Sequence, residues 1–188
     1  MKGQGNRFHG GDISALKGDH SRPVIDLSTG INPHSYPWWD QILPHTIKQL
    51  SKQLPQDQVT MNCMTAFYEY ISAADHTAWY MGNGTQALIE WVPTLFDTMQ
   101  VQVIFPTYSE HKLAWSSAGH NVCSVNFDRL NIDTIREPTV LVITNPNNPD
   151  GRLVGPEILL EWSNTLAGSN SILVVDEAFM DLTHDWSL

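Results

Sequence analysis

Between Ala78 and Asp176 the chain alternates short apolar runs with segments of helical length, and this alternation limits the folds open to it more than any other feature. The runs VQVIF (Val101 to Phe105), TVLVIT (Thr139 to Thr144) and SILVVD (Ser171 to Asp176) are continuous and β-branched rather than alternating. Such strands have no polar face to give to water, so they suit a parallel sheet covered on both sides. Parallel neighbours need crossovers, and the intervening segments supply them. The pattern predicts strands at 78–81, 101–105, 121–127, 139–144 and 171–176. Helices are expected at 85–96, 109–118 and 156–166, the last with Pro156 in its first turn. The fold class is therefore α/β, a three-layer sandwich around a mainly parallel sheet.

Upstream the texture differs. Residues 1–38 are rich in Gly, Pro, Asn and His, and read as an extended arm holding one apolar piece, VIDLS (Val24 to Ser28). From about Ile42 to Ala74 the apolar spacing is helical, with Pro55 as an interruption and Phe67, Ile71 and Ala74 on one face. Residues 39–188 thus form a single large domain behind the arm. The formal charge of -10 is unbroken by any basic cluster, which argues against nucleic acid or an anionic membrane as partner. Cys63 and Cys123 form no CxxC pair, and the eight histidines lack the i, i+4 spacing of a metal pair. No segment reads as a signal peptide or a membrane span, so a cytoplasmic location is the default expectation.

Four motifs carry chemistry. GNGTQA (Gly82 to Ala87) joins a strand to a helix, where glycines allow a tight turn and free amides face an anion. Gly82, Gly84 and Ala87 also fit a dinucleotide fingerprint, but the next strand ends in Phe105-Pro106-Thr107-Tyr108 and offers no acid for a ribose. A phosphate monoester held by Gly84, Thr85 and Gln86 fits better. In PTYSEH (Pro106 to His111), Tyr108 is placed to stack on a flat ligand. TNPNNPDGR (Thr144 to Arg152) is a rigid, non-helical loop that fixes Asn148 before Pro149. VVDEAF sets Asp176 at the end of a core strand, where a carboxylate needs a cation, and a pyridinium nitrogen is one.

In this order the motifs resemble the fold-type I pyridoxal 5'-phosphate (PLP) enzymes, in the branch that holds histidinol-phosphate aminotransferases and threonine-phosphate decarboxylases. The resemblance covers essentially the whole chain. It implies that Gly84, Thr85 and Gln86 surround the cofactor phosphate, that Tyr108 stacks on the ring, that Asn148 bonds the ring hydroxyl and that Asp176 pairs with the ring nitrogen. HGGD (His9 to Asp12) and IDLSTGINPHSYP (Ile25 to Pro37) look like the decarboxylase side of the branch, which serves cobalamin biosynthesis. On that likeness Gly30, Ile31 and Asn32 approach the substrate carboxylate and His9 its phosphate. The implied reaction is decarboxylation of L-threonine O-3-phosphate to aminopropanol phosphate by a homodimer. Related enzymes also lead us to expect a cis bond at Phe105-Pro106, at Asn148-Pro149, or at both.

The sequence departs from the family in three places. Phe179 stands where aminotransferases of this fold carry a tyrosine that donates to the ring hydroxyl. Leu54 stands in LPQD where histidinol-phosphate aminotransferases have Tyr-Pro, the tyrosine reaching the partner's cofactor phosphate. The family's Schiff-base lysine follows the aspartate strand, whereas Lys2, Lys17, Lys48, Lys52 and Lys112 all precede Asp176. The reading is therefore of the N-terminal part of a longer enzyme, inactive by itself, its large domain interrupted after SILVVDEAFMDLTHDWSL. The alternatives are an aminotransferase of the histidinol-phosphate type, a non-catalytic remnant and, more remotely, a dinucleotide-dependent oxidoreductase.

Overall fold

A computed structural model describes residues 25, 27, 30, 32, 34, 44–54, 56–71 and 78–188. The chain divides into two compact units, Met1–Asp57 and Gln58–Leu188. In the first unit the described structure is one short helix, α1 (Pro44–Leu50), with Ile25 and Leu27 exposed. The predicted helical stretch is thus two helices, since α2 (Asp57–Ile71) starts beyond Pro55. On α2 the partly buried stripe is Thr60, Met64 and Tyr68. Phe67, read on one face with Ile71 and Ala74, is half exposed, and Ala74 lies outside the described residues. The local reason is aromatic: Trp79 sets its ring edge-on to both Phe67 and Tyr68 at centroid distances of 6.0 and 5.7 Å.

The second unit is built on a four-stranded, all-parallel sheet of β1 (Gln100–Phe105), β2 (Asn121–Asn126), β3 (Thr139–Thr144) and β4 (Ile172–Asp176), in the order β2-β1-β3-β4. The helices are α3 (Thr85–Trp91), α4 (Ser109–Ser117) and α5 (Pro156–Ala167). Alternation along β1 and β3 divides the core in two. Val101, Val103, Val140 and Val142 pack with Trp115 of α4 on one face. Ile104, Leu141 and Ile143 pack with Leu159 and Leu166 of α5 on the other. Helices on opposite faces give the three layers expected.

Some expectations fail at the margins. Residues 78–81 form no strand; they have no ladder partner among the described residues, and Trp79 packs instead on α2. The helix expected to reach Phe96 stops at Trp91 and tightens into a 3-10 turn over Val92–Leu95, because Pro93 cannot continue the α ladder. Only β3 is buried along its whole length. The strand read as buried over 171–176 spans Ile172–Asp176 and is half-buried, because it pairs on one side alone among the described residues. The opposite edge strand, β2, is mostly exposed, with Val122 and Val125 its partly buried positions.

The order of strands positions the site. The chain moves from β1 outward to β2, then returns past β1 to β3 and on to β4. Between β1 and β3 the direction reverses, and at such a switch point the following loops diverge and leave a crevice beyond the strand ends. The residues after Phe105 and after Thr144 meet there.

Candidate functional site

The loop after β3 is held by two of its three asparagines. Asn145 is fully buried and uses its amide as a backbone mimic: Nδ2 donates to the Val154 carbonyl at 3.0 Å and Oδ1 accepts from Val154 N–H at 2.8 Å. Its own N–H donates to the Asp176 carbonyl at 2.8 Å, tying the loop to the end of β4. Asn147 Nδ2 donates to the Pro106 carbonyl at 2.8 Å and to Asp150 Oδ1 at 2.7 Å, joining this loop to the one after β1. Across the same crevice Thr107 Oγ1 donates to Thr144 Oγ1 at 3.0 Å. Asn148, the residue singled out from sequence, is half-buried, and its side chain makes no hydrogen bond among the described residues. Phe105-Pro106 and Asn148-Pro149 are both cis, as expected, and so is Asn145-Pro146.

Asp176 ends β4, with its side chain 8% exposed. His111 Nε2 donates to its Oδ2 at 2.8 Å, and the Ala178 N–H donates to its Oδ1 at 3.0 Å. Burial pushes the carboxyl pKa up, but the His111 hydrogen bond and charge and the Ala178 N–H outweigh it and hold the group below its ordinary value. The site thus keeps an ionised carboxylate at the sheet edge. Sequence reasoning missed His111, taking it for a dispersed surface or core histidine. The available signal was its place three residues after Tyr108, one turn into the helix that opens there.

Tyr108 is the residue before α4 and is half-buried; its hydroxyl donates to Gln86 Oε1 in a long contact of 3.4 Å. Gln86 therefore reaches the same edge from the first turn of α3, while Thr85 and Gly84 are exposed beside it. Gly84 turns with φ 86°, a left-handed conformation that favours glycine, and a Cβ there would meet nothing within 4 Å. Gly82 is different, since a Cβ would press on Leu88 at 2.6 Å. A small cleft under the loop is bordered by Phe127, Thr144, Asn147 and Arg152. It is closed on one side by Arg152, whose guanidinium lies 4.4 Å over the Phe127 ring.

The substrate-facing segment expected from sequence belongs to the other unit. Gly30 and Asn32 are exposed, and Asn32 Oδ1 accepts from His34 N–H at 2.9 Å. His9 and Ile31 lie outside the described residues. Among the described residues no cluster of His, Cys, Asp and Glu could hold a metal, and no helix is long and apolar enough to cross a membrane.

Comparison with known proteins agrees with the fold. The chain is 34% identical over 185 residues to the threonine-phosphate decarboxylase of Pseudomonas aeruginosa, covering 96% of this chain and 52% of that protein. It is 34% identical over 110 residues to a histidinol-phosphate aminotransferase of Desulfotalea psychrophila, covering 54% of this chain and 29% of that one. The chain spans about half the length of the threonine-phosphate decarboxylases it matches. Among solved structures, the L-threonine-O-3-phosphate decarboxylase of Porphyromonas gingivalis superposes with a TM-score of 0.57 at 22% identity, over 72% of this chain and 44% of that one. The histidinol-phosphate aminotransferase of Clostridium acetobutylicum does so with a TM-score of 0.61 at 24% identity, over 76% and 44%. Both share the fold. Residues 22–187 match the family described as aminotransferase class I and II, and the chain belongs to that family.

Proposed function

We propose that this chain supplies the cofactor-binding half of a PLP-dependent enzyme that decarboxylates L-threonine O-3-phosphate. The observation that carries the cofactor reading is the buried, ionised Asp176 at the sheet edge, oriented by His111 and the Ala178 N–H. Such a carboxylate suits a protonated ring nitrogen, and the two donors already aimed at it keep it from turning away. Asn148 complements it, because Asn145 and Asn147 hold the loop while its own amide remains to be used. Tyr108 offers a half-buried ring, and the first-turn amides at Thr85 and Gln86 an anion site. These residue types fit PLP: Asp176 to the ring nitrogen, Asn148 to the ring hydroxyl, Tyr108 to the ring face, and Gly84, Thr85 and Gln86 to the phosphate. When bound, PLP supplies an electron sink for the pair released as CO2 departs. The chain's part is to keep that sink protonated, flat and out of water.

Decarboxylation is favoured over amino transfer by the 34% identity to two threonine-phosphate decarboxylases along nearly the whole chain. Phe179, half exposed, offers no hydroxyl toward the ring oxygen, which leaves that bond to Asn148. Amino transfer of the histidinol-phosphate kind is the second reading, supported by the relative and the fold neighbour of that name. Lys112, in the second unit, donates from Nζ to Ser124 Oγ on β2 at 3.2 Å. The test compares this chain with a polypeptide extended to the length of the relatives. CO2 release from L-threonine O-3-phosphate by the longer protein, with none from the 188 residues alone, is the expected result. Amino transfer to a keto acid without CO2 would establish the second reading instead. Turnover by the shorter chain, abolished by Lys112→Ala, would show that Lys112 does serve the site.

A further inference from the structure

Gln86 is a proposed cofactor contact whose side-chain amide is already committed at both ends. Its Nε2 donates to Glu90 Oε1 at 3.0 Å and to Glu110 Oε2 at 3.1 Å, while its Oε1 accepts from the Tyr108 hydroxyl. Carboxylates accept only, so the amide has one sensible orientation. Reversing it would set Oε1 against two carboxylate oxygens. The two acids differ in weight. Glu90 is exposed one turn along α3, where such a pair is worth little. Glu110 is 2% exposed in the first turn of α4, two residues after Tyr108. A buried carboxylate loses most from an absent donor, so Glu110 is the anchor.

We infer that Glu110 and the Gln86 side chain form a brace that sets the plane of the Tyr108 ring, and that this side chain is not a ligand of the cofactor phosphate. The inference rests on the proposal that Tyr108 is the stacking ring. If Nε2 turned toward a phosphate, Glu110 would lose a donor and an anion would be drawn toward a buried carboxylate. Gln86 can then offer an anion its backbone N–H alone. The contact with Tyr108 is long, so the brace biases the ring without clamping it. Gln86 and Glu110 are thus positioning residues that act through Tyr108.

The experiment has two arms on the 188-residue chain. In the first, the side-chain amide resonances of Gln86, assigned by their loss in Gln86→Met, are followed in 15N–1H spectra without cofactor. Glu110→Ala and Tyr108→Phe are expected to displace them and speed their exchange, and Glu110→Gln, which still accepts, to leave them near their original positions. Resonances unmoved by Glu110→Ala would overturn the brace. In the second, PLP is titrated by fluorescence quenching. Gln86→Met and Tyr108→Phe should each weaken binding about three- to tenfold, the range of one modest hydrogen bond, and the double variant no more than the weaker single. Multiplied losses would overturn the inference, since the two side chains would then act separately. A wild-type chain that does not bind PLP would refute the cofactor reading and with it the ring's role, while the amide arm still decides the brace. Should Glu110→Ala fail to fold, Tyr108→Phe and Glu110→Gln carry the first arm.

Discussion

Asp176 shows how two neighbours decide the state of a buried charge. Desolvation by itself would raise its pKa, yet the hydrogen bond and charge of His111 with the Ala178 N–H hold it below its ordinary value. A carboxyl whose folded pKa lies below its unfolded value stabilises the fold fully above the unfolded value, about 3.9. That contribution is lost as pH falls through the folded value. Asp176→Asn should therefore cost about 1–3 kcal/mol at pH 7 and flatten the stability curve below about pH 4. Urea unfolding across that range measures both. Asn145 makes a matching case with no charge. Asn145→Ala leaves Val154 N–H and C=O unpaired inside the protein, a cost of about 1–3 kcal/mol, and should speed hydrogen exchange at Val154 and Arg152. The sequence showed that the loop from Thr144 to Arg152 is rigid, but not which asparagine does what. Identical amides in Asn145, Asn147 and Asn148 are told apart only by what the folded chain brings to them: Val154, Pro106 and, for Asn148, no partner among the described residues.

Among the elements, the strand ends are joined by small polar brackets that sequence patterning cannot reveal. His120, beyond the end of α4, accepts Met99 N–H on Nδ1 at 3.2 Å and donates from Nε2 to the Pro93 carbonyl at 2.8 Å. It also lies edge-on to Trp115 at 4.9 Å. One ring so fastens the 3-10 turn after α3 to the entry of β1. His120→Phe keeps the ring contact and removes both bonds, and should destabilise the unit by about 1–3 kcal/mol in denaturant titration. The strands 101–105, 139–144 and 171–176 were legible because a continuous β-branched run has few other uses. The stretch 78–81 is apolar without a β-branched residue and forms no strand, since a strand is made by its neighbour as well as by its own residues. Pro93 ended the α helix at Trp91 for a reason present in the sequence and underweighted there. The acid at the end of β4 was legible from its position, but its partner on α4 lay 65 residues away and was not.

For the molecule as a whole, charge and apolar surface act against each other. The chain carries a formal charge of -10 and a pI near 5.0. It also exposes large apolar side chains in the second unit, among them Leu182 at 88%, Leu160 at 55% and Phe179 at 52%. Repulsion that keeps copies apart at neutral pH vanishes near the pI. Light scattering should therefore rise sharply as pH falls toward 5 and decline again below it, and Leu182→Ser with Leu160→Ser should shrink the rise. The strand order has a further consequence, for the timing of folding. β1 must find β3 across everything between Phe105 and Thr139, and β4 can join only when β3 is in place. Contacts of such long range are slow to form, since loop closure is opposed by entropy until the ladder repays it. The His111–Asp176 bond, spanning the full sequence of these events, is thus among the last to form. A probe placed on that bond would report the end of folding, and nascent chains that have not yet made β4 should lack the site altogether.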